Sequence, residues 1–340
     1  MNNRLFRSIG FLLLIGLLAL AVMPLAAQDE GPPQTGLFYI SPQYALRGPY
    51  WVGTTEVTIA RPNPDCWAAE GVTVTASEDE QNQMLLSIWY PALNPEGRTP
   101  DARYNMIWKL PIPIPEGMDM TVAGHALRDA AFDMTSAPYP LVVFSPGYIS
   151  DMAGFVYLAE HLASHGFVVI GPDHDEVMDP EWLGIDRWKQ IIQRPCDIRQ
   201  ALDYAERVTA SGEAMAGLID MEHIAVTGHS RGGYTALLAA GARYDLENLH
   251  QWCDTQRAAG DPFAEDMCGM IMPHEADMVA ASGLDAMPDG LWPSMGDPRV
   301  DAIVPMAGDA WLFGPVGLAE VTVPMLALGG TADYGTPFEW

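Results

Sequence analysis

From residue 140 onward the chain alternates short, wholly apolar runs with longer stretches of helical spacing. The apolar runs are LVVFS (141–145), FVVIGP (167–172), HIAVTG (223–228), DAIVPMAG (301–308) and VPMLALGG (323–330). Each has the length and composition of a strand and lacks an exposed polar face, which predicts burial on both sides. Between them, FVYLAEHLASHG (155–166), DIRQALDYAERV (197–208) and RGGYTALLAAGA (231–242) bring apolar residues round every three or four positions, the period of a helix. Buried strands alternating with helices predict an α/β fold with a mostly parallel, doubly wound sheet.

The flanking regions read differently. Thr54–Ala60 and MLLSIWY (84–90) predict two early strands joined across the polar SEDEQNQ as a hairpin. Residues 28–50 read as a leader strap, and residues 91–139, which include PIPIPEG, as a long surface connection. Residues 243–299 interrupt the alternation. They are acidic, hold Trp252, Trp292, Cys253 and Cys268, and show no strand pattern. They predict an irregular, stapled surface insertion, either over the carboxyl edge of the sheet, where functional loops gather, or as a loop with no substrate role.

The start of the chain is a targeting signal by pattern: Arg4 and Arg7, an apolar run Ile9–Val22, then Pro24-Leu25-Ala26-Ala27. That run falls short of the ~20 residues of a bilayer span. Residues 1–27 therefore predict a signal peptide, with residues 28–340 as a single secreted domain and no membrane span left after removal of the signal. Four cysteines suit an oxidising compartment. Three pairings are possible, and Cys253 with Cys268 is favoured because both lie in one stretch. No Cys-x-x-Cys pair occurs, and no metal or cofactor is expected. A formal charge of −27 repels phosphate backbones and excludes nucleic acid as a partner.

The chemistry concentrates at Gly228-His229-Ser230-Arg231-Gly232, with Gly233 next. A serine between glycines, after a buried strand and before a helix, is the sequence form of a sharp turn that lifts a hydroxyl above a sheet. Ser230 is the candidate nucleophile. The amide of Arg231 is one candidate oxyanion donor, and the amide of Tyr148, on the Ser145-Pro146-Gly147-Tyr148 bend, is the other. The Tyr148 ring is placed to wall an acyl pocket. Asp333, in GGTADYGTP, is the candidate acid, and Asp309, in AGDAWLFGP, is its rival; the order Ser…Asp…His favours Asp333. That order also places the base after the acid, and none of the eight histidines follows Asp333. The expectation is a chain that stops at Trp340, before the last strand, the last helix and the histidine. His229 reads as support, His161 and His165 as residues of a helix and its end, and His174, in GPDHDE, as the remaining base candidate.

PLVVFSPGY, LASHGFVVIGPDH, RPCDIRQALDYAE, GLIDMEHIAVTGHSRGGYTAL and LALGGTADYGTP together resemble the secreted α/β-hydrolases. They are most similar to bacterial relatives of the plasma-type platelet-activating factor acetylhydrolase, often grouped with dienelactone hydrolases. GPYWVGTTEVTI and LLSIWYPA resemble the amino-terminal strands of that group, so the likeness covers roughly residues 48–242 and 300–340. SPGY and LASHGFVVI are also similar to the cutinase-like polyester hydrolases. The resemblance implies a serine carboxylic ester hydrolase acting on small-molecule or lipid-like esters of the platelet-activating factor type. A polyester hydrolase is the alternative, as is a binding module that keeps the fold without catalysis. On the acid it divides: AGDAWLFGP is similar to the acid segment of the plasma acetylhydrolase, GGTADYGTP to the acid loop of most α/β-hydrolases. The family's carboxyl-terminal histidine motif and a match to residues 243–299 are both missing.

Overall fold

Alternation along single strands divides the interior into two cores. A computed structural model of the protein describes residues 45–60, 83–107, 109, 114, 116–174, 176, 187–261, 264–308, 310–333 and 335–336. The expected signal peptide, the leader strap up to residue 44, the polar link between the two early strands, Cys66 and Asp309 lie outside these residues. The described residues from Arg47 onward belong to one compact unit. In β6 (Tyr139–Ser145), Leu141 and Val143 enter the larger core while Val142 and Phe144 enter the smaller. β7 (Val168–Pro172) does the same, with Val168 and Ile170 against Val169. Successive side chains on a strand point to opposite faces, so a wholly apolar strand has both faces covered.

Among the described residues the main sheet has seven strands, in the order β5 (Leu127–Arg128), β1 (Trp51–Ala60), β2 (Gln83–Ala92), β7, β6, β8 (Ile219–His229) and β9 (Ala302–Met306). β1 (Trp51–Ala60) and β2 (Gln83–Ala92) pair antiparallel from Trp51↔Ala92 to Ala60↔Gln83, and β2 pairs antiparallel with β7. β7, β6, β8 (Ile219–His229) and β9 (Ala302–Met306) are parallel. The smaller core lies under helix α1 (Val156–Ser164), which buries Val156, Ala159 and Ala163. The larger lies under α2 (Arg187–Thr209) and α3 (Arg231–Ala239). Burying one Leu, Ile or Val side chain fully is worth about 1.5–3 kcal/mol, so these two layers hold the sheet between them.

Three expectations need correction. Residues 91–139 are more than a surface connection. They contain a small hairpin, β3 (Arg103–Asn105) with β4 (Thr121–Ala123), and an edge strand β5 (Leu127–Arg128) parallel to β1. A two-residue strand carries no periodicity that a sequence could display. Second, α2 begins at Arg187, ten residues before the expected helix, and carries Pro195 inside it. Third, residues 243–299 are largely helical: α4 (Leu246–Ala259), α5 (Ala264–Ile271) and α6 (Glu275–Ala281). Asp245 caps α4 by accepting from the Asn248 amide, and Gly260 ends it at φ 74°. Leu249, Cys253, Cys268, Met270, Ile271 and Trp292 from this stretch join the larger core.

Cys253 and Cys268 are disulfide-bonded, joining α4 to α5, and Cys196 is disulfide-bonded as well. The Cys253–Cys268 bridge closes a loop of 15 residues. Loop-closure entropy makes such a bridge worth about 3 kcal/mol. The double variant Cys253→Ala/Cys268→Ala is therefore expected to unfold at a lower urea concentration by that amount. An unchanged midpoint at an unchanged slope would contradict the assignment of stability to this bridge.

The run VPMLALGG follows β9 in parallel register through Ile303↔Met325 and Met306↔Leu328, with Leu326 N donating to Ile303 O and Leu328 N to Pro305 O. Met325, Leu326 and Leu328 are exposed. Register aligns the carboxyl ends that matter here: Ser145 sits opposite Gly228, and Gly228 opposite Pro305. The turns leaving β6 and β8 therefore emerge side by side.

Candidate active site

Ser230 lies between β8 and α3 at φ 55° and ψ −121°, a conformation that costs a non-glycine residue about 1–3 kcal/mol. The surroundings hold it there. Its amide donates to Met306 O at 2.8 Å, and its carbonyl accepts from the Gly233 and Tyr234 amides at 2.8 and 3.2 Å. The flanking glycines are required by close approach. A Cβ at Gly228 would stand 2.4 Å from Ser145 O, one at Gly232 1.8 Å from the same oxygen, and one at Gly233 2.9 Å from Met306 O. Ser230 remains half-exposed. The hydroxyl thus stands at the start of α3, at the positive end of that helix.

The bend after β6 rests against this turn. A Cβ at Gly147 would lie 3.6 Å from Ser230 Cβ and 3.5 Å from His229 O, which is van der Waals contact. The half-buried Tyr148 ring stands under two guanidinium groups, Arg187 at 5.7 Å and Arg231 at 5.9 Å from its centroid. The Arg231 side chain also reaches Met270 Sδ of α5 at 3.4 Å, so the helical stretch 243–299 borders the site. Ser230, Tyr148 and Arg231, singled out separately from the sequence, are brought together.

Asp333 sits on the loop after the run VPMLALGG, which the sequence predicts as a strand and which meets β9 through two isolated bridges. Its carboxylate accepts from the Gly335 amide at 2.9 Å, the Thr336 amide at 3.1 Å and the Thr336 hydroxyl at 2.8 Å. The two Thr336 bonds are the main reason its carboxyl is held below the usual range; burial opposes them slightly, and the Gly335 amide and the charge of His229 add to the lowering. His229 is exposed, with its ring 5.8 Å from that of Phe155. Among the described residues no imidazole is hydrogen-bonded to the Ser230 hydroxyl. His174, the residual base candidate, is 1% exposed, and both of its ring nitrogens are engaged: Nε2 with Ser145 Oγ and Nδ1 with Asp197, each at 2.8 Å. His161 and His165 face each other at 4.7 Å, but no group of three metal-ligating side chains occurs among the described residues.

Sequence reasoning missed a buried polar cluster beneath the bend. Arg194 and Glu176 form an ion pair, 1% and 5% exposed, and Lys109 reaches Asp173, Ser150 O and His174 O. Burial pushes the Glu176 carboxyl up, but the charge and hydrogen bonds of Arg194 outweigh it and hold the carboxyl below the usual range. A signal existed. Ile191, Arg194, Ile198 and Ala201 fall at helical spacing, so a charged residue interrupts an apolar stripe, and Asp197 lies one turn beyond Arg194.

With the elbow, the bend and the parallel sheet described, likeness to known proteins takes its place. Residues 131–297 match a family model described as PET hydrolase-like. The fold is that of the α/β-hydrolases. Over 109 residues the chain is 36% identical to cutinase est2 of Thermobifida alba, covering 32% of each protein. It is 37% identical to cutinase cut1 of Thermobifida fusca, covering 32% of this chain and 30% of that one. It is 33% identical to a bis(hydroxyethyl) terephthalate hydrolase of Streptomyces coelicolor over 107 residues, 31% and 30% of the two chains. The chain thus spans about a third of the length of the curated relatives it matches. A solved ferulic acid esterase from Streptomyces cinnamoneus is 22% identical with a TM-score of 0.47, over 82% of this chain and 65% of that one. The matches to the family model, the cutinases and the terephthalate hydrolase favour the polyester-hydrolase likeness over the acetylhydrolase likeness. No described helix is long and apolar enough to cross a membrane.

Proposed function

We propose that the protein is a secreted, cutinase-like carboxylic ester hydrolase that works through an acyl-enzyme on Ser230. The observation that carries this reading is the positive-φ serine at the β8–α3 turn, with room for no more than a methyl group between its Cβ and Gly147 of the bend that leads to Tyr148. In the proposed cycle Ser230 Oγ attacks the ester carbonyl, and the oxyanion is received by the amides of Tyr148 and Arg231. The alcohol leaves, and water releases the acyl group by the same path. Proton transfer in this scheme calls for an imidazole, which Asp333 would orient. A carboxylate held below its ordinary pKa stays ionised and suits that role. The scheme calls for no metal or cofactor. The disulfide bonds accord with work outside the cytoplasm. Aryl and polyester-type esters are favoured over acetyl phospholipids because terephthalate and cutinase enzymes are among the relatives.

The test is turnover of bis(hydroxyethyl) terephthalate and p-nitrophenyl butyrate, beside an acetyl phospholipid, with labelling by a fluorophosphonate. A folded chain that neither turns over nor labels is the binding module instead. Asp333→Asn is expected to lower kcat by about 10³–10⁴-fold with little change in KM, because the imidazole loses its orientation and its counter-charge. Asp309→Asn is expected to leave most activity. Equal, small losses in both variants would reject the acid assignment.

A further inference from the structure

We propose that the buried Arg194–Glu176 pair is the positioning device that aims the Tyr148 amide at the space above Ser230. This rests on the esterase reading for its purpose, but the clamp itself is a matter of geometry. A guanidinium has five N–H groups in one plane, and all five have a place here. Arg194 Nε donates to Glu176 Oε1 at 2.6 Å. Nη1 donates to Pro146 O at 2.7 Å and lies 3.4 Å from Ser145 Oγ. Nη2 donates to Gly147 O at 3.0 Å and to Glu176 Oε2 at 2.6 Å.

The consequence follows from the planarity of the peptide bond. In a trans peptide the carbonyl of one residue and the amide of the next point in opposite directions. Arg194 is 1% exposed and lies beneath the bend. Drawing Gly147 O down onto it turns the Tyr148 N–H up, toward the face where Ser230 stands. Drawing Pro146 O down does the same to the Gly147 N–H. Glu176 Oε2 accepts the next amide, that of Ile149, at 3.3 Å, which fixes where the bend turns back. Lys109 holds the carbonyl of Ser150 at 3.1 Å. Below, Ser145 Oγ, His174 and Asp197 form a continuous chain of bonds, and Asp197 and Arg194 share one helix. Every carbonyl from 146 to 150 named here is pulled inward by a buried cation, so an oxyanion donor needs no reorganisation when charge develops on substrate.

Burying an ion pair is a poor way to gain stability, since desolvation offsets most of the attraction. What a planar fork supplies, and a lysine does not, is two carbonyls held in fixed directions. Arg194→Lys is therefore the informative variant. It is expected to lower kcat on p-nitrophenyl butyrate by about 10²-fold with KM within about threefold, the size of one lost oxyanion donor. Fluorophosphonate labelling of Ser230 is expected to slow in the same proportion, and hydrogen exchange at the Ile149 and Ser150 amides to speed up. Glu176→Gln keeps the shape but removes the charge that anchors Arg194 beneath the two carbonyls. It is expected to lose about tenfold in kcat at unchanged KM, and it decides the matter alone if Arg194→Lys does not fold. Unchanged kcat together with unchanged exchange in a folded variant overturns the proposal. Faster exchange at these amides in a protein whose wild type has no esterase activity leaves the clamp standing and removes the esterase reading instead.

Discussion

Ser230→Ala is expected to fold as the wild type does and to lose about 10⁴–10⁶-fold in kcat, with its fluorophosphonate label gone. The fold is spared because the strained backbone angles are imposed by bonds that alanine keeps: the amide to Met306 O and the carbonyl to the Gly233 and Tyr234 amides. Alanine also carries the same Cβ, so the penalty of positive φ is no larger. Rate is lost because the only change removes the proposed nucleophile. The residual rate comes from substrate binding and the oxyanion donors, which remain. The measurement is kcat on p-nitrophenyl butyrate beside a thermal unfolding curve. A variant that unfolds at the same temperature and hydrolyses at the wild-type rate removes Ser230 from the chemistry.

Gly232→Ala is expected to cost about 3 kcal/mol or more of stability and to remove nearly all activity. The added Cβ would stand 1.8 Å from Ser145 O, 2.6 Å from Ser145 C and 2.9 Å from Pro146 O, all of them backbone atoms. No rotamer can relieve such a clash; β6 and the start of α3 must move apart. That movement separates Ser230 from the bend at Tyr148, and a misplacement near 1 Å costs on the order of 10²-fold in rate by itself. Gly269→Ala in α5 is the control, since nothing lies within 4 Å of its Cβ position and the residue is exposed. There alanine is expected to stabilise by about 0.5–1 kcal/mol through helix propensity. Urea midpoints of the two variants moving in the same direction would contradict the steric account.

Much of the site was legible because its constraints are local. A serine that must sit at positive φ between close-packed backbones needs small neighbours at fixed offsets, and Gly228, Gly232 and Gly233 record that need. The pairing of Cys253 with Cys268 was legible too, although the helices carrying them were not. Leu249 and Cys253, or Cys268 and Ile271, do repeat at helical spacing, but the surrounding acidic and glycine residues mask so short a pattern. His174 was visible as a polar residue at a strand end, and its environment was not. Whether such a histidine faces a cleft or a buried aspartate depends on Asp197, which is 23 residues away.

The sequence by itself determined the alternation of strands and helices between residues 140 and 242, that those strands are covered on both faces, and where the glycine-flanked serine turn lies. These follow from periodicity and from the steric demands of a few adjacent residues. Only the tertiary structure decided that Ser145, Glu176 and Arg194 meet beneath the turn at Tyr148, that the acidic stretch after residue 242 folds into the main core, and that a two-residue segment extends the sheet beyond β1. Each of these joins groups far apart along the chain. Their contact energies depend on distance in space, and the order of residues carries no record of that until the sheet has formed.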